Sequence, residues 1–216
     1  MSFTVADVLL DVRELIQDTK APSYRYSDDF VIRKINRTLS RMVVLRPDLF
    51  TAVADIACVA GSLQSAPADS VRIMDVLSNA NSTAIKEVSQ EVQDMMIPAW
   101  EALTPGPAVN WMRYPRDPNR FYVSPPAVPG AALTITYAKA PAVLTISDTV
   151  VLQDAYMPTV IDGTVWLMES IDAESVESGR AKMFQDSFKE QMTAGLTARR
   201  LTDSGNAALP KDEVIQ

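Results

Sequence analysis

The chain has 216 residues, 47% of them hydrophobic and 22% charged, proportions typical of a folded globular protein rather than a disordered one. It contains 27 acids, 20 bases and no histidine, so Ser-His-Asp triads, Cys-His dyads, histidine metal sites and histidine pH switches are excluded. The net charge of −7 disfavours a protein that recognises nucleic-acid sequence, and the single cysteine, Cys58, excludes an internal disulfide.

Two amphipathic helices are predicted within residues 1–48. The first begins at Thr4, whose hydroxyl can cap it, and turns Asp7, Asp11 and Glu14 outward. The second begins at Ser27, and its surface carries four bases, Arg33, Lys34, Arg37 and Arg41. Such bases are typical of a solvated helix face. The functional alternative is a charged contact between subunits, or a weak contact with the phosphates of passing DNA.

Proline dominates the middle of the chain, where nine of the 14 prolines lie between Pro67 and Pro129. Because proline interrupts helices and central strands, residues 49–150 are predicted to form an inserted domain of short strands and turns, a small β-sheet or sandwich. Strands are expected near residues 53–59, 71–77, 121–123 and 133–137. Residues 89–103 are ambiguous and suit a short helix interrupted by Pro98.

Bases and aromatic residues are mixed between residues 113 and 122. Arginines and tyrosines in such a mixture can stack on nucleic acid. The prolines around them favour a different interpretation, a turn that joins two strands. The residues concerned are Arg113, Tyr114, Arg116, Arg120 and Tyr122.

Helical periodicity returns at residues 151–200, which predict two further helices with Gly163 as a weak point in the first. The second has an apolar face that includes Phe188 and Met192 and is expected to end near Arg200. Residues 201–216 have no periodicity and are predicted to be an extended C-terminal arm. The predicted fold class is therefore α+β: an antiparallel helical bundle of two N-terminal and two C-terminal helices, the inserted β-rich domain, and the arm.

No residue set predicts chemistry. The pairs Asp28-Asp29, Glu174 with Glu177, and Asp212-Glu213 have ordinary explanations at a helix start, on a solvated face and in the arm. The seven glycines form no nucleotide-binding pattern. We predict no catalytic residue, no cofactor and no metal. With no apolar run of 18 residues and no signal-peptide pattern, we also expect a soluble protein that is made in the cytoplasm.

An ordered series of short segments carries a family resemblance. The segment of residues 24–29, Tyr-Arg-Tyr-Ser-Asp-Asp, precedes the second helix, and Leu45-Arg46-Pro47-Asp48 closes it. Tyr114-Pro115-Arg116-Asp117-Pro118, the strand ending in Pro125-Pro126, Tyr137 to Pro141 and Asp154-Ala155-Tyr156 follow in order. This series resembles the head-to-tail adaptor (neck, connector) proteins of tailed bacteriophages, in particular a podophage-type family, over residues 4–195.

The resemblance implies a structural virion protein, synthesised in the bacterial host and located in the neck between capsid and tail. Its implied partners are further copies of itself in a ring, commonly of twelve, the portal protein, and a tail or nozzle protein. Genomic double-stranded DNA would pass through the ring without sequence recognition, and no membrane is involved. We expect Leu209, Val214 and Ile215 to anchor the arm on the portal, and the following residues to make contacts between subunits: Arg33, Arg37, Arg41, Phe188 and Met192.

Two alternatives remain at this point. One is another ring protein of phages, such as a tail-completion or tail-terminator protein, which would be richer in strand. The other is a hydrolase or nuclease that uses a metal held by carboxylates, which would need a tight cluster of acids.

Overall fold

A computed structural model describes residues 3–79, 81–171 and 179–206, with side chains described up to residue 194. The chain divides into two compact units. Met1–Met42 together with Val143–Gln216 form the first, called here the helical unit. Val43–Ala142 form the second, the β-rich unit.

The described residues contain five α-helices: α1 (Val5–Leu15), α2 (Asp28–Leu45), α3 (Gln90–Met96), α4 (Met157–Glu169) and α5 (Arg180–Asn206). Thr4 caps α1 as predicted, because its hydroxyl accepts from the Asp7 N–H while its own N–H donates to the Asp7 carboxylate. Helix α5 continues to Asn206, beyond the predicted end near Arg200. The part of the expected arm before residue 207 is therefore helical.

The predicted antiparallel helical bundle is wrong, although the class α+β is compatible with the structure. Beside helices, the helical unit uses an irregular segment, residues 143–152, which contains a turn and two bends. The N–H of Val5 donates to the Asp148 carbonyl (3.0 Å), and the N–H of Val150 donates to the Phe3 carbonyl (2.9 Å). Asn36 of α2 exchanges two hydrogen bonds with Leu144. Helical periodicity marks the buried face of a helix but not which element packs beside it, and here an irregular segment contacts both N-terminal helices.

Helices α2, α4 and α5 meet at Gly163. A Cβ atom placed there would lie 2.5 Å from Cγ2 of Thr38 and 2.9 Å from two ring carbons of Phe188. The neighbouring Thr164 hydroxyl lies 3.4 Å from that of Thr38. The glycine expected to weaken α4 is instead what allows the three helices to approach one another.

The β-rich unit contains seven strands among the described residues: β1 (Thr51–Ala57), β2 (Gly61–Ser65), β3 (Ser70–Asn79), β4 (Lys86–Glu87), β5 (Asn110–Arg113), β6 (Arg120–Ala127) and β7 (Ala132–Lys139). One sheet has the order β1-β7-β3 and is antiparallel. The other has the order β2-β6-β5-β4, in which only β4 and β5 run parallel.

One apolar core joins the two sheets. Ile135 of β7 and Ile73 of β3 come from the first sheet, and Trp111 of β5 and Phe121 of β6 come from the second. The rings of Trp111 and Phe121 meet edge to face at 6.3 Å. Four predicted strands correspond to β1, β3, β6 and β7, and the turn between β5 and β6 is confirmed. Strands β2, β4 and β5 were not predicted.

Candidate interaction surfaces

A row of three arginines occupies the exposed face of α2. Arg33, Arg37 and Arg41 follow one another at intervals of four residues, so their side chains leave the same face of the helix. The guanidinium of Arg41 lies 4.5 Å from the ring centroid of Trp166 on α4, within the same unit. Arg33 and Arg37 form no ion pair with any described residue.

Lys34 lies beside this row and is buried, which the sequence pattern did not predict. Burial lowers the pKa of Lys34, and the charges of Arg37, Arg33 and Arg41 lower this pKa further. Lys34 forms no ion pair with an acid among the described residues. The ammonium lies 4.9 Å from the ring centroid of Phe30. This cation–π contact is weaker than an ion pair with a carboxylate. The face of α2 is therefore locally positive in a chain of net charge −7.

A row of acids occupies the outer face of α1. Asp7, Asp11 and Glu14 are spaced four and three residues apart, which places them on one face of the helix. Asp7 is engaged by Thr4, whose backbone N–H and hydroxyl donate to the carboxylate and lower its pKa. Asp11 and Glu14 form no ion pair with the part of the chain that the structure describes. The helical unit thus presents two rows of opposite charge that do not pair with each other.

A buried arginine orders the loop between these two helices. Arg13 is 4% exposed, donates to Asp18 at 2.9 Å and to the Tyr26 carbonyl at 3.0 Å, and also pairs with Asp28. Its guanidinium lies 3.6 Å from the ring centroid of Tyr24. Asp18 in turn accepts from the N–H groups of Arg25 and Tyr26. These contacts tie the loop to α1 and to the start of α2.

Two residues expected at a subunit contact, Phe188 and Met192, lie in the core of the helical unit. They are 1% and 3% exposed, and the ring of Phe188 lies 5.8 Å from that of Trp166, between centroids. Of the five residues predicted to contact another subunit, the exposed ones are the three arginines of α2. Leu209, Val214 and Ile215, expected to dock on the portal, lie outside the described residues.

The described residues contain neither a candidate metal cluster nor a candidate membrane span. They contain no group of three or more acidic or cysteine side chains placed to hold a metal ion. None of the helices within the described ranges is both long enough and apolar enough to cross a bilayer.

A family model described as SU10 adaptor protein matches residues 3–209, nearly the whole chain. The chain belongs to the SU10 adaptor protein family. No curated protein shows significant similarity to it. Family membership confirms the resemblance to phage adaptors and makes the chain a structural protein of the bacteriophage virion. As a phage adaptor it belongs in the neck, where its partners are portal and tail proteins.

Proposed function

We propose that copies of this adaptor assemble into a ring beneath the portal, with the same two surfaces in contact between each neighbouring pair of copies. The ring extends the DNA channel and docks the tail or nozzle. The observation that carries the proposal is the pair of unmatched charge rows, acids on α1 and arginines on α2. Each row can be paired by opposite charges from outside the subunit. A second copy of the same chain supplies both.

The two rows have opposite charges and similar lengths. From Asp7 to Glu14 the row on α1 spans about 10 Å, and from Arg33 to Arg41 the row on α2 spans about 12 Å, at the rise of an α-helix. When one surface of a copy binds a different surface of the next copy, the contact is heterologous. Heterologous contacts close into a ring when the rotation between neighbouring copies allows it. Charge pairs of this kind set orientation and register more than affinity.

The remaining parts of the proposal follow from charge and from the C-terminal residues. An acidic ring wall suits DNA passage, because it repels phosphates and so prevents the duplex from adhering. Leu209, Val214 and Ile215 are apolar residues in a polar C-terminal segment, and we assign them to portal docking. Synthesis in the bacterial host is part of the same proposal.

The test is the mass of the full chain by light scattering, alone and after mixing with the phage's portal protein. We expect ring-sized particles, formed with the portal as template. A chain that stays monomeric both alone and in the presence of the portal protein would overturn the proposal. Replacing Leu209, Val214 and Ile215 by Ser should abolish assembly on the portal, whereas the matched variant A207S/A208S should retain it.

The charge rows have a sharper test. R33E/R37E reverses two exposed arginines that make no ion pair with described residues, and D11K/E14K reverses two acids of α1. Each variant alone should fail to form rings, because like charges would then face each other. A mixture of the two variants should restore them, because every contact in an alternating ring is again between opposite charges. The control K182E/K189E makes the same charge change on α5 and should assemble normally.

A further inference from the structure

The β-rich unit contains a cleft lined by arginines that the proposed ring does not use. The turn between β5 and β6 and the start of β3 enclose an open cleft of about 240 Å³. Four arginines line it, Arg72, Arg113, Arg116 and Arg120. No other lining residue carries a charge.

Two of these arginines have partners in the unit and two do not. Arg113 donates to Glu87 at 2.7 Å and to the backbone carbonyls of Ile73 (3.1 Å) and Met74 (2.9 Å), so it is fixed in place. Arg120 lies 4.0 Å from Asp117, a long and exposed ion pair. Arg72 and Arg116 are exposed, and neither forms an ion pair or a side-chain hydrogen bond with a described residue. The four arginines are paired with only two acids, Glu87 and Asp117, so the cleft has an excess of positive charge.

The walls of the cleft are rigid. Pro115 and Pro118 have fixed φ angles within the turn, and the Tyr114 ring packs edge to face on Tyr122 at 5.4 Å between centroids. A guanidinium presents a planar fork of N–H donors that suits carboxylates and phosphates in a two-point contact. Arg72 and Arg116 therefore hold unused donors on a scaffold that needs little ordering when a ligand binds.

We propose that this cleft binds an acidic peptide segment of a partner protein through its Asp or Glu carboxylates. Its volume accommodates a few side chains and is small beside a DNA duplex, which would need a long basic track. The net charge of −7 repels a duplex more strongly than a short acidic peptide, because the duplex extends many more negative charges past the cleft.

The experiment measures fluorescence anisotropy of a labelled peptide of about ten residues that alternates Glu and Ser, titrated with the full-length adaptor at low salt. We expect binding that weakens with salt, no binding of the matching Gln-Ser peptide, and a loss of about tenfold or more in affinity for R72Q/R116Q. The control K182Q/K189Q removes the same charge from α5 and should bind as the wild type does. Circular dichroism would verify that both variants are folded.

Three results would overturn the proposal. The first is equal binding of the peptide to R72Q/R116Q and to the wild type. The second is an equal loss of binding in both double variants, which would mean a general charge effect rather than a site. The third is a duplex of about 20 base pairs that binds more tightly than the peptide and loses its affinity in R72Q/R116Q, which would assign the cleft to nucleic acid.

Discussion

Gly163 of α4 faces Phe188 of α5 so closely that a Cβ atom on residue 163 would lie 2.9 Å from the ring carbons Cδ2 and Cε2. The same Cβ atom would lie 2.5 Å from Cγ2 of Thr38 on α2. Both neighbours are buried and cannot move aside without disturbing the core. The absence of a side chain at this one position therefore sets how closely the three helices pack.

The first prediction concerns this contact. G163A should lower the free energy of unfolding by about 1–3 kcal/mol, because overpacking outweighs the gain of about 1 kcal/mol that alanine brings inside a helix. Urea denaturation followed by circular dichroism measures it. Gly106 offers a matched control, because a Cβ there would meet its nearest neighbour at an ordinary 3.9 Å, and G106A should change stability by less than about 1 kcal/mol. A G163A variant as stable as the wild type contradicts the close approach.

The second prediction concerns the buried ion network of Arg13. R13M leaves the carboxylate of Asp18 buried without a charged partner, so we expect a loss of about 3 kcal/mol in the free energy of unfolding. The exposed pair of Lys139 and Asp69, 3.4 Å apart, is the comparison, and K139M should cost less than about 1 kcal/mol. Equal losses in the two variants would show that burial of the Arg13 network makes no difference.

The sequence predicted elements whose signal is local. Single helices contain the whole signal for the apolar stripes of α1, α2 and α4 and for the Thr4 cap. The longer strands β3, β6 and β7 contain enough apolar residues to be recognised from the sequence. Strands β2, β4 and β5 were missed because they are short, and pairing with a neighbouring strand, rather than their own pattern, defines them.

Tertiary contacts explain the other differences. Helix propensity alone marks Gly163 as a weak point of α4, whereas its close approach to Thr38 and Phe188 depends on helices that are distant in the sequence. The burial of Arg13 had a usable signal, since this residue lies four positions after Leu9 on the apolar stripe of α1. The exposed arginines of α2 were predicted as a surface, but Lys34 was placed with them although it packs inward.

The third prediction concerns Cys58, which is buried in the β-rich unit. Burial raises the pKa of its thiol, so the fraction present as the reactive thiolate is reduced at pH 8. Ellman's reagent should therefore modify the native protein on the order of 100-fold more slowly than the urea-unfolded protein. The variant C58S/S65C moves the thiol to an exposed position in β2 and should react rapidly in the native state. Rapid modification of native Cys58 would contradict its burial.

The fourth prediction is a dependence of stability on pH at the start of α1. Hydrogen bonds from the backbone N–H and the hydroxyl of Thr4 hold the pKa of Asp7 below its usual value of 3.8. Because the folded-state pKa is the lower one, the stabilisation from this carboxylate is fully present above pH 3.8 and is lost as the pH falls through the folded-state value. Asp148 has its pKa lowered in the same way by Thr145 and adds to the effect in the same pH range.

Thermal unfolding of the wild type and of D7N between pH 2 and pH 7 tests this prediction. D7N should have the lower Tm at pH 7. The difference should shrink as the pH falls through the folded-state pKa of Asp7, below 3.8, because the wild-type carboxylate then becomes protonated and is uncharged, as the Asn side chain is. D11N removes the same charge one turn further along α1 without removing the Thr4 cap, so it should lower the Tm less at pH 7. A difference between wild type and D7N that stays constant down to pH 2 would mean that the ionised carboxylate of Asp7 does not stabilise the helix start.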